Sequence, residues 1–154
     1  MIYAIIRIRG VINIKPDIKR TLEILRLTKV NHCCLVENNK YYKGMLQKVK
    51  DYTTWGEIDK ETLSKLIETR GMLIGDKPIT KEYLESATSY ASFEELSQDI
   101  LDKKIVYKEL PTVKPLFRLH PAKKGLEGIK RSYKNGGALG YRGKEINKLI
   151  EKMI

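Results

Sequence analysis

Cysteine is nearly missing from this 154-residue chain, which holds only Cys33 and Cys34, side by side. Neighbouring positions on a strand point to opposite faces, so the pair lacks the spacing of shared metal ligands. Neither a disulfide framework nor a zinc site is expected. Histidine is equally scarce, with His32 and His120 far apart and no H-E-x-x-H or G-x-S-x-G pattern around them. No apolar run reaches the roughly 18 residues of a membrane span. The opening MIYAIIRIRGVINI is interrupted by Arg7 and Arg9 and has no small-residue cleavage site. It is therefore not read as a signal peptide, and a cytoplasmic protein without a membrane partner is expected.

Acids are outnumbered, 19 against 30 Lys and Arg, which leaves a formal charge of +11. Self-repulsion on that scale points to a polyanionic partner, nucleic acid before an anionic membrane. The charge is also divided along the chain: +6 over residues 1–60, −3 over 61–110 and +8 over 111–154. A merely solvated surface would spread it evenly. The division suggests that both ends share one anionic surface while the middle faces elsewhere.

A chain of this length holds one domain, or a small domain with an appendage. IYAIIRIRG reads as a strand ending at Gly10. Pro16 suits a first helical turn, after which Ile18, Thr21, Leu22 and Leu25 recur on one face with Lys19, Arg20 and Arg26 outside. HCCLVE is a buried-type strand. A second helix follows, apolar at Tyr42, Met45, Leu46 and Val49, with Gly44 as a possible point of close backbone approach. YTTWGE supplies a third strand. Residues 1–58 are thus expected to form an α+β unit, β-α-β-α-β, with two helices on one face of a small sheet.

Residues 59–110 read as mainly helical and acidic, with Asp59, Thr80 and Ser92 as caps, Ser92 and Glu95 as a capping box, and KIVYKEL as a further short strand. Residues 111–154 differ. Between Pro111 and Gly143 lie three prolines, six glycines and eight Lys or Arg, with Glu127 the only acid. Phe117, Leu119, Tyr133, Leu139 and Tyr141 are interleaved with these cations, which suggests a tail ordered by its partner rather than a solvated one. Truncation after Leu110 is then expected to leave a folded domain. The chain closes in an amphipathic helix, GKEINKLIEKMI.

The run KNGGALGYRG, Lys134 to Gly143, can aim main-chain N–H groups at phosphate. Arg142 is suited to fork onto phosphate oxygens, and Tyr141 offers a flat face to a base. The same parts would serve a nucleotide-using enzyme. However, the run matches neither G-x-x-x-x-G-K-[ST] nor G-x-G-x-x-G, and no residue is placed to hold magnesium. No cofactor, metal or small-molecule substrate is expected, and no catalysis.

Three stretches, IIRIRGVINIKPDIKRTLEILRL, NKYYKGMLQKVKDYTTWGEID and KPLFRLHPAKKGLEGIKRSYKNGGALGYRG, occur in an order that closely resembles a ribosomal family. It is the archaeal form of the large-subunit family numbered thirty in bacteria and seven in eukaryotes. The resemblance implies a three-stranded antiparallel sheet related to ferredoxin-like folds. It also implies assembly into the large ribosomal subunit against its rRNA, beside neighbouring ribosomal proteins. Position by position, it and the cationic pattern nominate Arg7 and Arg9 of the first strand as RNA-binding. Helical candidates are Lys15, Lys19, Arg20, Arg26, Lys40, Lys43 and Lys48. The tail adds Lys114, Arg118, His120, Lys123, Lys124, Lys130, Arg131, Lys134, Gly136, Gly137, Tyr141, Arg142 and Lys144. A nucleic-acid-binding module outside the ribosome is the alternative.

Overall fold

A computed structural model describes residues 1–154. Three longer strands form its centre: β1 (Ile2–Arg7), β2 (His32–Glu37) and β3 (Thr53–Glu57), with β1 in the middle and antiparallel to both neighbours. All six residues of β1 are buried, so its sequence is almost continuously apolar rather than alternating. The alternation survives in where the side chains go. Ile2, Ala4 and Ile6 enter one core, while Tyr3 and Ile5 enter another on the opposite face. Cys33 and Cys34 are split the same way, one into each core.

The smaller core lies under α1 (Pro16–Ile24) and α2 (Lys40–Val49). Pro16 opens α1, where its missing N–H costs nothing. Asn39 caps α2, its side-chain oxygen accepting from the Tyr42 N–H at 2.9 Å. Leu22, Leu25, Leu46 and Val49 reach down to Ile5 and Trp55. The expected pair of helices on one face is present. Gly44 is exposed, and a Cβ added there would meet nothing within 4 Å, so no backbone within the chain approaches it.

The other face of the sheet is covered too, by α3 (Lys60–Arg70), α5 (Phe93–Leu101) and α6 (Ile146–Met153). Between α3 and α5 lies α4 (Lys81–Tyr83), capped by Thr80 and continued by a π turn, Leu84–Thr88. Ser92 accepts from the Glu95 N–H as a capping box requires, but Glu95 returns to the Ala91 N–H instead of its own cap. Asp59 precedes α3 without capping it, because its carboxylate accepts from Asn147 of α6 at 2.9 Å.

Two expectations need correction. The sheet has five strands rather than three. The tail supplies β4 (Phe117–Arg118), antiparallel beside β2, and β5 (Gly140–Tyr141), parallel beside β3, giving the mixed order β4-β2-β1-β3-β5. KIVYKEL is not a strand either: Tyr107–Glu109 is a 3-10 turn. Tyr107 and Leu110, three apart, both face inward, a spacing a strand would send to opposite sides.

Nor does the tail lie loose. Phe117 is fully buried and stacks on Tyr107 with ring centres 4.9 Å apart. Leu119, Ala138, Leu139, Ile146, Ile150 and Met153 share one core with Ala4, Ile6, Leu63 and Leu96. Asn147 fastens α6 to the β3–α3 junction, donating to the Glu57 carbonyl at 3.0 Å while its own oxygen accepts from the Asp59 N–H at 3.0 Å. Gly56 on β3 allows the turn after β5 to come close, since a Cβ there would stand 1.9 Å from the Gly143 oxygen. No helix is long and apolar enough to cross a membrane.

Candidate nucleic-acid interface

Strand directions decide which cations meet. β1 finishes at Arg7, at the end of the sheet where β2, β3 and β5 begin and β4 ends. A row of main-chain bonds crosses this end. The Asn31 N–H donates to the Arg7 carbonyl at 2.8 Å, Leu119 to Asn31 at 3.1 Å, His120 to Met153 at 2.9 Å, and Ile8 to Tyr52 at 2.8 Å. The RIRG stretch, the approach to β2, the approach to β3, the FRLH stretch and the end of α6 are thereby held side by side.

The half-buried Arg9 and the exposed cations of this end form the first patch. Arg9 lies over the Tyr52 ring, 5.2 Å from its centre, and donates to the Asp51 carbonyl at 3.2 Å, so its guanidinium is aimed before any partner arrives. Arg26, His120 and Lys123 stand exposed nearby, as do Lys29, Lys50 and Lys152, which the sequence reading did not nominate. Lys29 and Lys50 lie just before β2 and β3, so antiparallel pairing with β1 was the signal that could have found them. Lys152 carried no such signal, because nothing in the sequence fixes where α6 ends against the sheet. Arg118 reaches the same end but is partly neutralised, at 3.0 Å from Asp76, and Lys114 binds the same carboxylate at 2.5 Å. The hydrogen bond from Lys114 holds the Asp76 carboxyl below its ordinary range, so this pair of cations keeps its anion.

The second patch is the outer side of the α1/α2 layer, where Lys15, Lys19, Arg20, Lys40, Lys43 and Lys48 are exposed. Only Lys48 has an acidic partner there, Asp17 at 3.2 Å. Lys124, Lys130, Arg131, Lys134 and Gly136 are exposed along the loop that leads into β5. The acidic middle packs on the opposite face of the sheet, so the sheet itself separates the basic helical layer from the acidic one.

Four nominated residues are placed otherwise. Arg7 is 2% exposed. As an odd position of β1 it points under α1, where it donates to the Leu27 carbonyl at 2.7 Å and the Arg9 carbonyl at 2.9 Å. Burial lowers its pKa, and its donors serve the fold. Arg142 is half-buried, donating to the Thr54 hydroxyl and the Ala138 carbonyl at 2.8 Å each, with Tyr133 stacked on it at 4.8 Å. It latches the glycine loop to β3 rather than presenting a free fork. Tyr141 donates to Glu57 at 2.7 Å; that bond, then burial, pushes its pKa up to about 12. Gly137 is buried, and a Cβ there would stand 2.1 Å from the Arg131 oxygen, so the glycine serves close packing of the loop on itself. Lys144 is exposed but lies just beyond β5, at the far end of the sheet.

His32 joins the basic end to stability. It is buried, and burial, followed by the cations Arg118 and Lys29, lowers its pKa. The unfolded chain takes up a proton near about 6.5 while the fold resists, so the contribution of His32 is present above that pH and lost as pH falls below it. Thermal melts should therefore show the Tm of the wild type dropping between about pH 7 and 5, and less so in His32→Gln. Equal pH dependence of the two proteins would contradict this.

Comparison with known proteins gives this arrangement its relatives. The family model described as "Ribosomal protein L30p/L7e" matches residues 3–53. A protein of Methanocorpusculum labreanum is 48% identical over 151 residues, covering 98% of this chain and 99% of the relative. The chain belongs to the uL30 family. A Thermoplasma volcanium protein is 49% identical across 98% of this chain and 92% of its own length, and one from Methanoculleus marisnigri 46% identical across 98% and 99%. All three are named large ribosomal subunit protein uL30. Likeness to the uL30 relatives therefore runs through the acidic middle and the tail as well as the part that the family model covers.

Proposed function

We propose that this chain is a structural constituent of the large ribosomal subunit, in the cytoplasm, and that it binds large-subunit rRNA without catalysing a reaction. The observation that carries the reading is the sorting of charge by the fold. The chain is alike over 98% of its length to proteins named for the large subunit, and it gathers its exposed cations at one sheet end and on one helical layer. Phosphate oxygens meeting Arg9, Lys29, Lys50, Lys123 and Lys152 would find them spaced along a rigid hydrogen-bonded edge, so little ordering is left to do on binding. Residues 1–58 supply most of this surface, residues 111–154 complete it, and residues 59–110 form an acidic extension turned from the RNA toward neighbouring ribosomal proteins.

Sedimentation of a cell extract tests the assignment. The chain should travel with large subunits at low salt. Recovery only in the free-protein fraction would favour a nucleic-acid-binding module outside the ribosome.

A further inference from the structure

The end of the sheet opposite the basic patch carries a groove of about 300 Å³ between β2, the start of α2 and the segment around Tyr107. Two of its features are only partly used within the fold. The first is the outer edge of β2. β4 pairs only with His32 and Cys33, and the Leu119 N–H donates to Asn31 on that side, so alternate residues from Asn31 onward face outward. Leu35 and Glu37 continue this row beyond β4; the Glu37 carbonyl accepts from the Asn39 N–H at 2.9 Å, and the Leu35 N–H and C=O and the Glu37 N–H are left to a partner. Pro115, which would stand opposite Leu35 in the same register, has no N–H to offer. The second feature is the mostly apolar lining of the groove, to which Leu35, Ile105 and Val106 contribute half-buried side chains.

We propose that this edge and groove dock an extended, cationic peptide segment of a neighbouring protein, which adds a strand to β2 and places an apolar side chain beside Tyr107. An open strand edge offers N–H and C=O groups at the spacing of an extended main chain. The lining is mostly apolar, which suits a hydrophobic anchor. Charge selects the occupant: Glu37 and Glu109 stand at the groove against Lys108 alone, so a phosphate backbone is repelled and a lysine- or arginine-bearing peptide is drawn in. The site lies at the sheet end away from the first patch, with Lys40 of the helical layer next to it, and does not depend on the RNA reading.

The test titrates two short synthetic peptides into the isotope-labelled full chain, one alternating valine with lysine and the other valine with glutamate. The lysine peptide is expected to shift the Leu35 and Glu37 amide signals and slow their hydrogen exchange. It should bind about tenfold tighter than the glutamate peptide, a difference within reach of two rim carboxylates. Glu37→Lys combined with Glu109→Lys should reverse that preference. Equal binding of both peptides, or shifts confined to other residues, would overturn the proposal. So would an RNA oligonucleotide that moves the same amides, or amide protection that grows with protein concentration alone and so marks a second copy as the occupant.

Discussion

A fragment ending at Leu110 is expected to lose cooperative folding altogether. The sequence alone suggests the opposite, a self-sufficient domain with a tail that orders on its partner. The difference lies in where the apolar residues of the tail go. Phe117, Ile146, Ile150 and Met153 are fully buried, and Leu119 and Leu149 nearly so. Burying each such side chain is worth about 1.5–3 kcal/mol, so together they rival the roughly 5–15 kcal/mol by which a domain is stable. Removing them also strips β4 from β2, β5 from β3 and the Asn147 clamp from the β3–α3 junction. A thermal melt of the fragment followed by circular dichroism should show no sigmoidal transition, whereas the full chain should melt cooperatively. A fragment melting as sharply as the full chain would show that the shared core is dispensable.

The affinity of the full chain for its rRNA site is expected to fall by about 10³ to 10⁵ between roughly 50 and 200 mM salt, if about 6–10 phosphates are neutralised. The single-residue consequences separate surface cations from buried ones. Replacing Lys29, Lys50 or Lys152 with alanine should lower the slope of log affinity against log salt by about 1 each, because each releases a counterion on binding. Arg7→Ala and Arg142→Ala should leave that slope unchanged and lower the Tm instead. Their donors are spent on Leu27, Arg9, Thr54 and Ala138, and removing a charged partner of this kind costs about 1.5–3 kcal/mol. Slopes that respond to Arg142 and not to Lys29 would reverse the assignment.

Much of the first half was legible because its signals are local. Pro16 and the 3.6-residue periodicity of two helices place α1 and α2, and β-branched runs place β1, β2 and β3. The tail was not legible for the same reason: β4 and β5 have two residues each, and pairing with distant strands, not propensity, makes them strands. Arg7 shows the limit most plainly. Its alternation with Ile6 and Ile8 reads as a solvent-facing cation, but α1 and α2 cover that face as well, so the outward position became an inward one. The glycines of KNGGALGYRG read as a phosphate cradle, yet Gly137 answers to contact with Arg131, which the sequence does not announce. Lysines show the opposite lesson: their identity was plain, and only strand pairing revealed which of them stand together.

Reactivity of lysines toward a small amine-directed reagent, compared between the free protein and the assembled large subunit, tests most directly whether the sheet parts an RNA side from an acidic side. Lys19, Lys29, Lys43, Lys50, Lys123 and Lys152 should become shielded on assembly, while Lys60, Lys65, Lys81 and Lys103, all exposed in the acidic layer, should keep their reactivity. Shielding of the second set with the first left open would contradict it.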